Sequence, residues 1–70
     1  MHEGRKMKVK LVYPGEPRET IDQDLLKIDG HIGYRGNQTH RYHHFEIITM
    51  ENLKRILACL PSDGEVTIVY

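Results

Sequence analysis

The residues best suited to chemistry lie close together in the stretch 31–44 (HIGYRGNQTHRYHH). It contains four of the five histidines, two arginines, two of the four tyrosines and no acidic residue. Cations that can contact phosphates and rings that can stack on bases are the groups that hold single-stranded nucleic acid. The Asn-Gln pair at 37–38 adds amide groups that could contact base edges. This stretch therefore indicates a surface that contacts a negatively charged partner.

The distribution of charge restricts such a surface to one face of the molecule. The formal net charge is zero and the pI is about 7.0, whereas the pI of a nucleic-acid-binding domain often exceeds about 9. The charge is arranged in blocks, since residues 1–14 and 31–44 are basic while residues 15–30 and 45–70 are acidic. A nucleic-acid site must therefore depend on local clustering of the basic groups.

The size and composition predict one small cytoplasmic domain that spans residues 1–70. The chain has 70 residues and a mean hydropathy of −0.56, with no apolar run near the roughly 20 residues that cross a bilayer. Cys59 has no second cysteine to pair with, which favours a reducing compartment. Residues 1–6 are expected to be a loose leader ahead of Met7. A core this small would benefit from dimerisation, so a homodimer is one expected form.

Four segments show the patterns of β-strands. Residues 7–13 alternate strictly, with Met7 and Val9 on one side and Lys8 and Lys10 on the other. Residues 31–35 and 41–48 form a predicted hairpin around the turn at 36–39, and a centre near Gln38 would place Tyr34 opposite Tyr42. The β-branched segment 65–70 is the last predicted strand.

Helical spacing is clear in one place and ambiguous in another. The residues of the apolar stripe in the segment 50–60 recur at helical intervals, and Thr49 is suited to cap its first turn. In the segment 16–30, Ile21, Leu25 and Ile28 also have helical spacing. A loop or a single helical turn is favoured there over a full helix, with a short strand at 25–28 as another alternative.

These elements predict an α+β fold with the order β-β-β-α-β. The sheet is small, mostly antiparallel and composed of about four strands, and one helix of about residues 50–60 packs on one face. The helix must lay its apolar stripe on the sheet because the chain offers it no other apolar surface. The other face of the sheet is then open to solvent.

The alternation of the strands predicts which side chains the open face carries. With Phe45 and Ile47 inward, Arg41 and His43 share the covered side. If Ile32 also points inward, Tyr34, two residues later, lies on the same covered side. The predicted outward set is His31, Gly33, Arg35, Lys8, Lys10, Val12, His40, Tyr42, His44, Glu46, Glu65, Thr67 and Val69.

A metal site is not expected from the histidine spacing. On a helix, His40, His43 and His44 would share one face and could chelate a metal ion. The residues that follow favour a strand, which separates His40 from His44 by about 13 Å at ~3.3 Å per residue and turns His43 to the other side. Cys59, close to the apolar stripe of the helix, is expected to be a buried small side chain rather than a ligand.

Catalysis is not expected either. His43 or His44 could act as a base with Glu46, and Ser62 or Cys59 could act as a nucleophile, but no spacing favours that arrangement. The sequence contains no Gly-rich phosphate loop, no G-x-S-x-G and no H-E-x-x-H motif. We therefore expect a non-enzymatic protein without a cofactor.

The favoured function is binding to nucleic acid, or association with nucleic-acid machinery, through the hairpin and the open face. The general logic is that of sheet-surface RNA binders, although their glycine-phenylalanine signature is absent. The predicted contact residues are Lys8, Lys10, Tyr34, Arg35, Asn37, Gln38, His40, Arg41, Tyr42 and His44.

Two alternatives use the same surface. One is a protein-interaction or inhibitor module with Val12 and Val69 at its apolar centre, as in a small regulatory protein, and the other is a homodimeric structural unit. Because the reference pKa of histidine is about 6.5, binding to a polyanion is expected to strengthen from about pH 8 to about pH 6.

Overall fold

The computed structural model describes residues 6–69, which form two helices and a four-stranded sheet. Residues 1–5 and 70 lie outside the described residues, and with them most of the expected leader. In chain order the elements are β1 (Met7–Pro14), α1 (Glu19–Leu26), β2 (His31–Gly36), β3 (His40–Ile47), α2 (Met50–Ala58) and β4 (Glu65–Val69). No helix within residues 6–69 has the length and apolar character needed to cross a membrane.

The sheet is antiparallel throughout and has the strand order β2-β3-β1-β4. The order β-α-β-β-α-β, with β1 and β3 paired at the centre, is the split βαβ arrangement of ferredoxin-like folds. The α+β class and the four antiparallel strands are confirmed. The predicted β-β-β-α-β order with a single helix is wrong, because a second helix lies between β1 and β2.

Helix α1 forms where a loop or a single turn was favoured. Its local signals are weak, since Arg18 at its N-cap makes no side-chain capping bond. Tertiary contacts supply what the local sequence lacks. Leu25 is fully buried against the sheet, and the Arg18 guanidinium donates two hydrogen bonds of 2.7 and 2.8 Å to Asp63 in the turn before β4. The helix is therefore a product of packing more than of propensity.

Helix α2 was predicted correctly within two residues at its C-terminal end. The Thr49 side chain accepts a hydrogen bond from the Asn52 backbone, as expected of an N-cap. Leu53 and Ile56 are buried in the core, whereas Met50 is 59% exposed. The buried stripe is therefore narrower than the sequence pattern suggested.

The core lies between the two helices and one face of the sheet. Its buried members from the strands are Met7, Val9, Leu11, Tyr13, Phe45 and Ile47, those from the helices are Leu25, Leu53 and Ile56, and Ile28 comes from the turn after α1. Lys8 and Lys10 alternate with the buried residues of β1 and are exposed. The sheet face that carries these two lysines is called the open face below.

Strand β2 departs from the predicted register in two ways. A bulge between His31 and Gly33 breaks the alternation, so His31 pairs with Phe45 on the covered side and Ile32 is 62% exposed. The strand alternation had predicted His31 on the open side of the sheet and Ile32 on the covered side. Tyr34 pairs with His43 rather than with Tyr42, one residue from the predicted register.

The structure of the hairpin tip explains the shift in register. Gly36 pairs with Arg41, and the Asn37 side-chain oxygen accepts hydrogen bonds from the backbone N–H groups of Thr39 and His40, each at 2.8 Å. This turn within residues 37–39 moves the centre of the hairpin from Gln38 to a point between Gln38 and Thr39. A displacement of half a residue at the centre changes every cross-strand partner by one.

Gly30 and Gly15 allow a matched test of backbone crowding. Both have positive φ, +103° and +95°, and a side chain in that region strains the backbone by roughly 1–2 kcal/mol. A Cβ at Gly30 would also lie 2.5 Å from the Glu46 carbonyl oxygen, whereas a Cβ at Gly15 would meet nothing within 4 Å. We expect Gly30→Ala to lower the urea midpoint clearly more than Gly15→Ala does. Equal losses would contradict this close approach of Gly30 to β3.

Candidate nucleic-acid interface and a buried polar network

The open face brings six of the ten predicted contact residues to one side of the sheet. Directly opposed residues of paired strands share a face. Two cross-strand rows define the centre: Arg35, Tyr42 and Val12 form one, and Gly33, His44 and Lys10 form the next. Lys8 and His40 lie in the flanking rows, opposite Glu46 and Pro14. The six residues are Lys8, Lys10, Arg35, His40, Tyr42 and His44.

The other four predicted residues have different surroundings. The Tyr34 hydroxyl donates a hydrogen bond to Asp22 on the covered side. The Arg41 guanidinium folds over Gly36, where any Cβ would collide with it, and donates to the Asn37 carbonyl at 2.9 Å. The Asn37 side chain is engaged in the turn. Only Gln38 is exposed at the hairpin tip without a side-chain hydrogen bond to the described residues.

His44 lies among cations at the centre of the open face. It pairs with Lys10 and Gly33, and its pKa is lowered from the usual value, first by burial and then by the charges of Arg35 and Lys10. A cluster of cations that disfavours an added proton also attracts an anion. This is the electrostatic condition for a phosphate contact.

A shallow depression adjoins this cluster at the edge of the sheet. It has a volume of about 340 Å3 and is lined by Ile32, Gly33, Arg35 and His44. Gly33 has no side chain beside His44, and a Cβ added there would lie 3.9 Å from both Cβ and Cδ2 of His44, which is an ordinary contact distance. An apolar side chain, an imidazole and a guanidinium therefore surround a space open to solvent.

A second constellation, the buried polar network, lies on the covered side and was not predicted. Asp22 of α1 is 6% exposed, and His43 of β3 is 0% exposed. The Asp22 carboxylate accepts hydrogen bonds from the hydroxyls of Tyr13 at 2.6 Å and Tyr34 at 2.9 Å. His43 Nε2 lies 2.8 Å from the same carboxylate, and His43 Nδ1 lies 3.0 Å from Nε2 of the partly exposed His31.

The network keeps Asp22 ionised. Burial alone would raise the pKa of Asp22, but the hydrogen bonds from Tyr13, His43 and Tyr34 outweigh burial and leave that pKa below its usual range. The same contacts raise the pKa of Tyr34, first through burial and then through its bond to Asp22. Asp22 is therefore a buried anion that ties α1 to three strands.

One sequence signal could have led to the network. Asp22 lies three residues before Leu25, on the apolar side of the helical stripe, and the strand patterns placed Tyr13 and His43 inward. A buried carboxylate needs hydrogen-bond donors, and these two residues supply them. The inward position of Asp22 is visible only if the segment 16–30 is a helix, and its sequence pattern is ambiguous on that point.

Among residues 6–69 no group of three or more His, Cys, Asp or Glu side chains is arranged to hold a metal ion. Comparison of the chain with protein-family models, curated proteins and solved structures finds no significant match.

Proposed function

We propose that this protein binds single-stranded nucleic acid on its open face and does so without catalysing a reaction. The observation that carries the proposal is the shared face of Lys10, Arg35 and Tyr42, which the strand register places in two adjacent rows. Charges beside a solvent-accessible ring hold a flexible polyanion through phosphate contacts and base stacking. The fold itself carries no such information, since folds of one topology host many functions.

The open face divides into groups with different roles. Lys8, Lys10 and Arg35 contact phosphates, because they are exposed cations on this face. Tyr42 stacks on a base, and the depression beside His44 accepts a neighbouring base or sugar. Gln38 at the hairpin tip contacts a base edge. A flat sheet that stacks two or three bases is a known mode of single-strand recognition. We further propose that this is a cytoplasmic accessory protein of nucleic-acid machinery.

The salt dependence of affinity tests the proposal. Three phosphate contacts at about −0.7 each predict a slope of about −2 for log K against log [salt] with single-stranded DNA or RNA. Fluorescence anisotropy with a labelled 12-mer measures this slope. Lys10→Gln together with Arg35→Gln is expected to reduce the slope by about two-thirds. The matched control, Lys27→Gln with Lys54→Gln, removes two exposed cations from the helical side and is expected to leave the slope unchanged.

Other outcomes would identify a different occupant of the same face. Val12 and Val69 share the open face with the cations, and Val69 is 58% exposed, which favours a protein partner or a second copy of this chain as the alternative function. Affinity that persists at high salt and requires Val12 and Val69 would support a protein partner. A gel-filtration mass of two chains, with this face protected from exchange, would support a homodimer. Either result without oligonucleotide binding would overturn the proposal.

The pH response of binding is tied to one histidine in particular. The pKa of His44 is lowered by burial and by Arg35 and Lys10, so His44 gains charge only below the reference value of about 6.5. A bound phosphate stabilises the added proton. Affinity therefore strengthens as the pH falls, and the contribution of His44 comes at more acidic pH than that of an unperturbed histidine.

A further inference from the structure

Hydrogen-bond direction in the buried polar network can be derived from its one anion. Ionised Asp22 can only accept hydrogen bonds, so His43 Nε2, 2.8 Å away, must carry a proton. When His43 is neutral, its Nδ1 then has a free lone pair and accepts from His31 Nε2 at 3.0 Å. His31 Nε2 must therefore also carry a proton. The base left free at the end of the chain is Nδ1 of His31.

This chain of bonds leads from the core to the surface. Asp22 and His43 are buried, whereas His31 is partly exposed at the edge strand β2. A proton that binds Nδ1 of His31 allows the Nε2 proton of His31 to pass to Nδ1 of His43. The products are a neutral His31 with its proton on Nδ1 and an imidazolium at His43 beside ionised Asp22. The network has gained one proton and no bond between heavy atoms has changed.

We propose that Asp22, His43 and His31 form a buried proton-binding site, which takes up one proton shared between the two imidazoles and makes the docking of α1 on the sheet sensitive to mild acid. The site lies on the side of the sheet opposite the open face. It therefore acts whether or not that face binds nucleic acid.

The groups that face this site come from every element around it. Strand β1 contributes Tyr13, β2 contributes Tyr34, and the N-cap of α1 contributes Arg18, whose backbone N–H donates to the Tyr13 hydroxyl at 2.9 Å. From β3, Arg41 acts on Tyr34 and His44 acts on His31. Apart from Asp22 these groups are neutral or cationic near pH 7. An added proton on His31 therefore meets positive neighbours, with Asp22 beyond His43 as the one anion of the network.

The sign of the pH effect follows from His31. Its pKa is lowered, first by burial and then by the neighbouring His43 and His44. The unfolded chain accepts this proton near the reference pH of about 6.5, and the folded protein accepts it only at lower pH. Stability is therefore complete above about pH 6.5 and is lost as the pH falls towards the folded value. The pKa of Asp22 is lowered as well, so its carboxylate stays ionised over this interval.

Thermal unfolding as a function of pH tests the proposal. The unfolding midpoint of the wild-type protein is expected to fall between pH 7.5 and pH 5, because the unfolded chain takes up the proton of His31 at higher pH than the folded protein does. His31→Gln replaces the imidazole N–H with an amide N–H, which can donate to His43 Nδ1 but cannot take up a proton. This variant should therefore lose at least half of the fall in unfolding midpoint. His40→Gln, on the open face, should leave the fall unchanged. His44→Gln measures how much of the fall in unfolding midpoint comes from His44, whose pKa is also lowered.

Nitrogen NMR of the wild-type protein gives an independent test that needs no variant. Near pH 8 both His31 and His43 should carry their ring proton on Nε2, and on acidification Nδ1 of His31 should gain a proton. A proton on Nδ1 of His43 near pH 8 would overturn the proposal. The same holds if His31→Gln unfolds with the pH profile of the wild-type protein.

Discussion

Replacement of Asp22 by alanine is expected to lower the free energy of unfolding by about 3 kcal/mol. The substitution removes the acceptor of three hydrogen bonds and leaves the O–H of buried Tyr13 and the Nε2–H of buried His43 without an acceptor. It also removes the side-chain hydrogen bonds that join α1 to Tyr13 of β1, Tyr34 of β2 and His43 of β3. The core of a domain of 70 residues rarely supplies more than about 3–5 kcal/mol of stability. We therefore expect the variant to be largely unfolded or close to unfolding at 37 °C.

Urea unfolding followed by circular dichroism measures this loss. The matched control is Asp24→Ala, which removes an exposed carboxylate from the same helix, and its expected change is within about 0.5 kcal/mol. This comparison separates the buried polar network from the general effect of removing a carboxylate from α1. A loss below about 1 kcal/mol for Asp22→Ala would show that the network contributes little to stability.

Replacement of Tyr42 by leucine has the largest effect expected on binding. Stacking of a base on an aromatic ring contributes roughly 1–3 kcal/mol, so Tyr42→Leu should weaken binding of a single-stranded oligonucleotide by about 5- to 150-fold. Leucine retains an apolar side chain opposite Val12, so the sheet should remain folded. Anisotropy titrations at constant salt measure the change, and circular dichroism verifies the fold.

Tyr34→Phe provides the contrasting variant. Its hydroxyl is bound to Asp22 on the covered side, so its removal should lower stability by about 1–2 kcal/mol and leave oligonucleotide affinity unchanged. The sequence analysis includes both tyrosines among the contact residues, although its strand alternation already turns Tyr34 to the covered side; the structure places Tyr34 on that side and Tyr42 on the open face. A greater loss of affinity in Tyr34→Phe than in Tyr42→Leu would contradict the assignment of the binding site to the open face.

The two constellations have different physical requirements. The open face needs exposed cations and a ring on one side, and alternation along β1 and β3 is enough to produce this, with Arg35 added from β2. The buried polar network needs donors and an acceptor from four elements to meet within hydrogen-bond distance. Such a cluster depends on register and helix docking, since Asp22 and His43 are 21 positions apart in the chain.

Elements with local patterns could be predicted from the amino-acid sequence. The alternation in β1 and β3 correctly predicted Lys8, Lys10, Tyr42 and His44 outward and Phe45 inward, because successive side chains of a strand must point to opposite faces. The apolar spacing and the Thr49 cap predicted α2, because side chains three and four residues apart share one face of a helix and the capping residue adjoins the first turn. These features depend on neighbours within a few residues, which a sequence displays directly.

Helix α1, the bulge in β2 and the buried polar network depend on contacts between residues that are distant in the chain. Helix α1 depends on the burial of Leu25 and on the bonds of Asp22, both of which involve distant residues. The bulge exchanges the sides of His31 and Ile32, and thereby places His31 beside His43. Hydrogen bonds and packing between strands set these positions. The periodicity of one segment shows which of its own residues face inward, but it does not show which residues of another segment will lie opposite them.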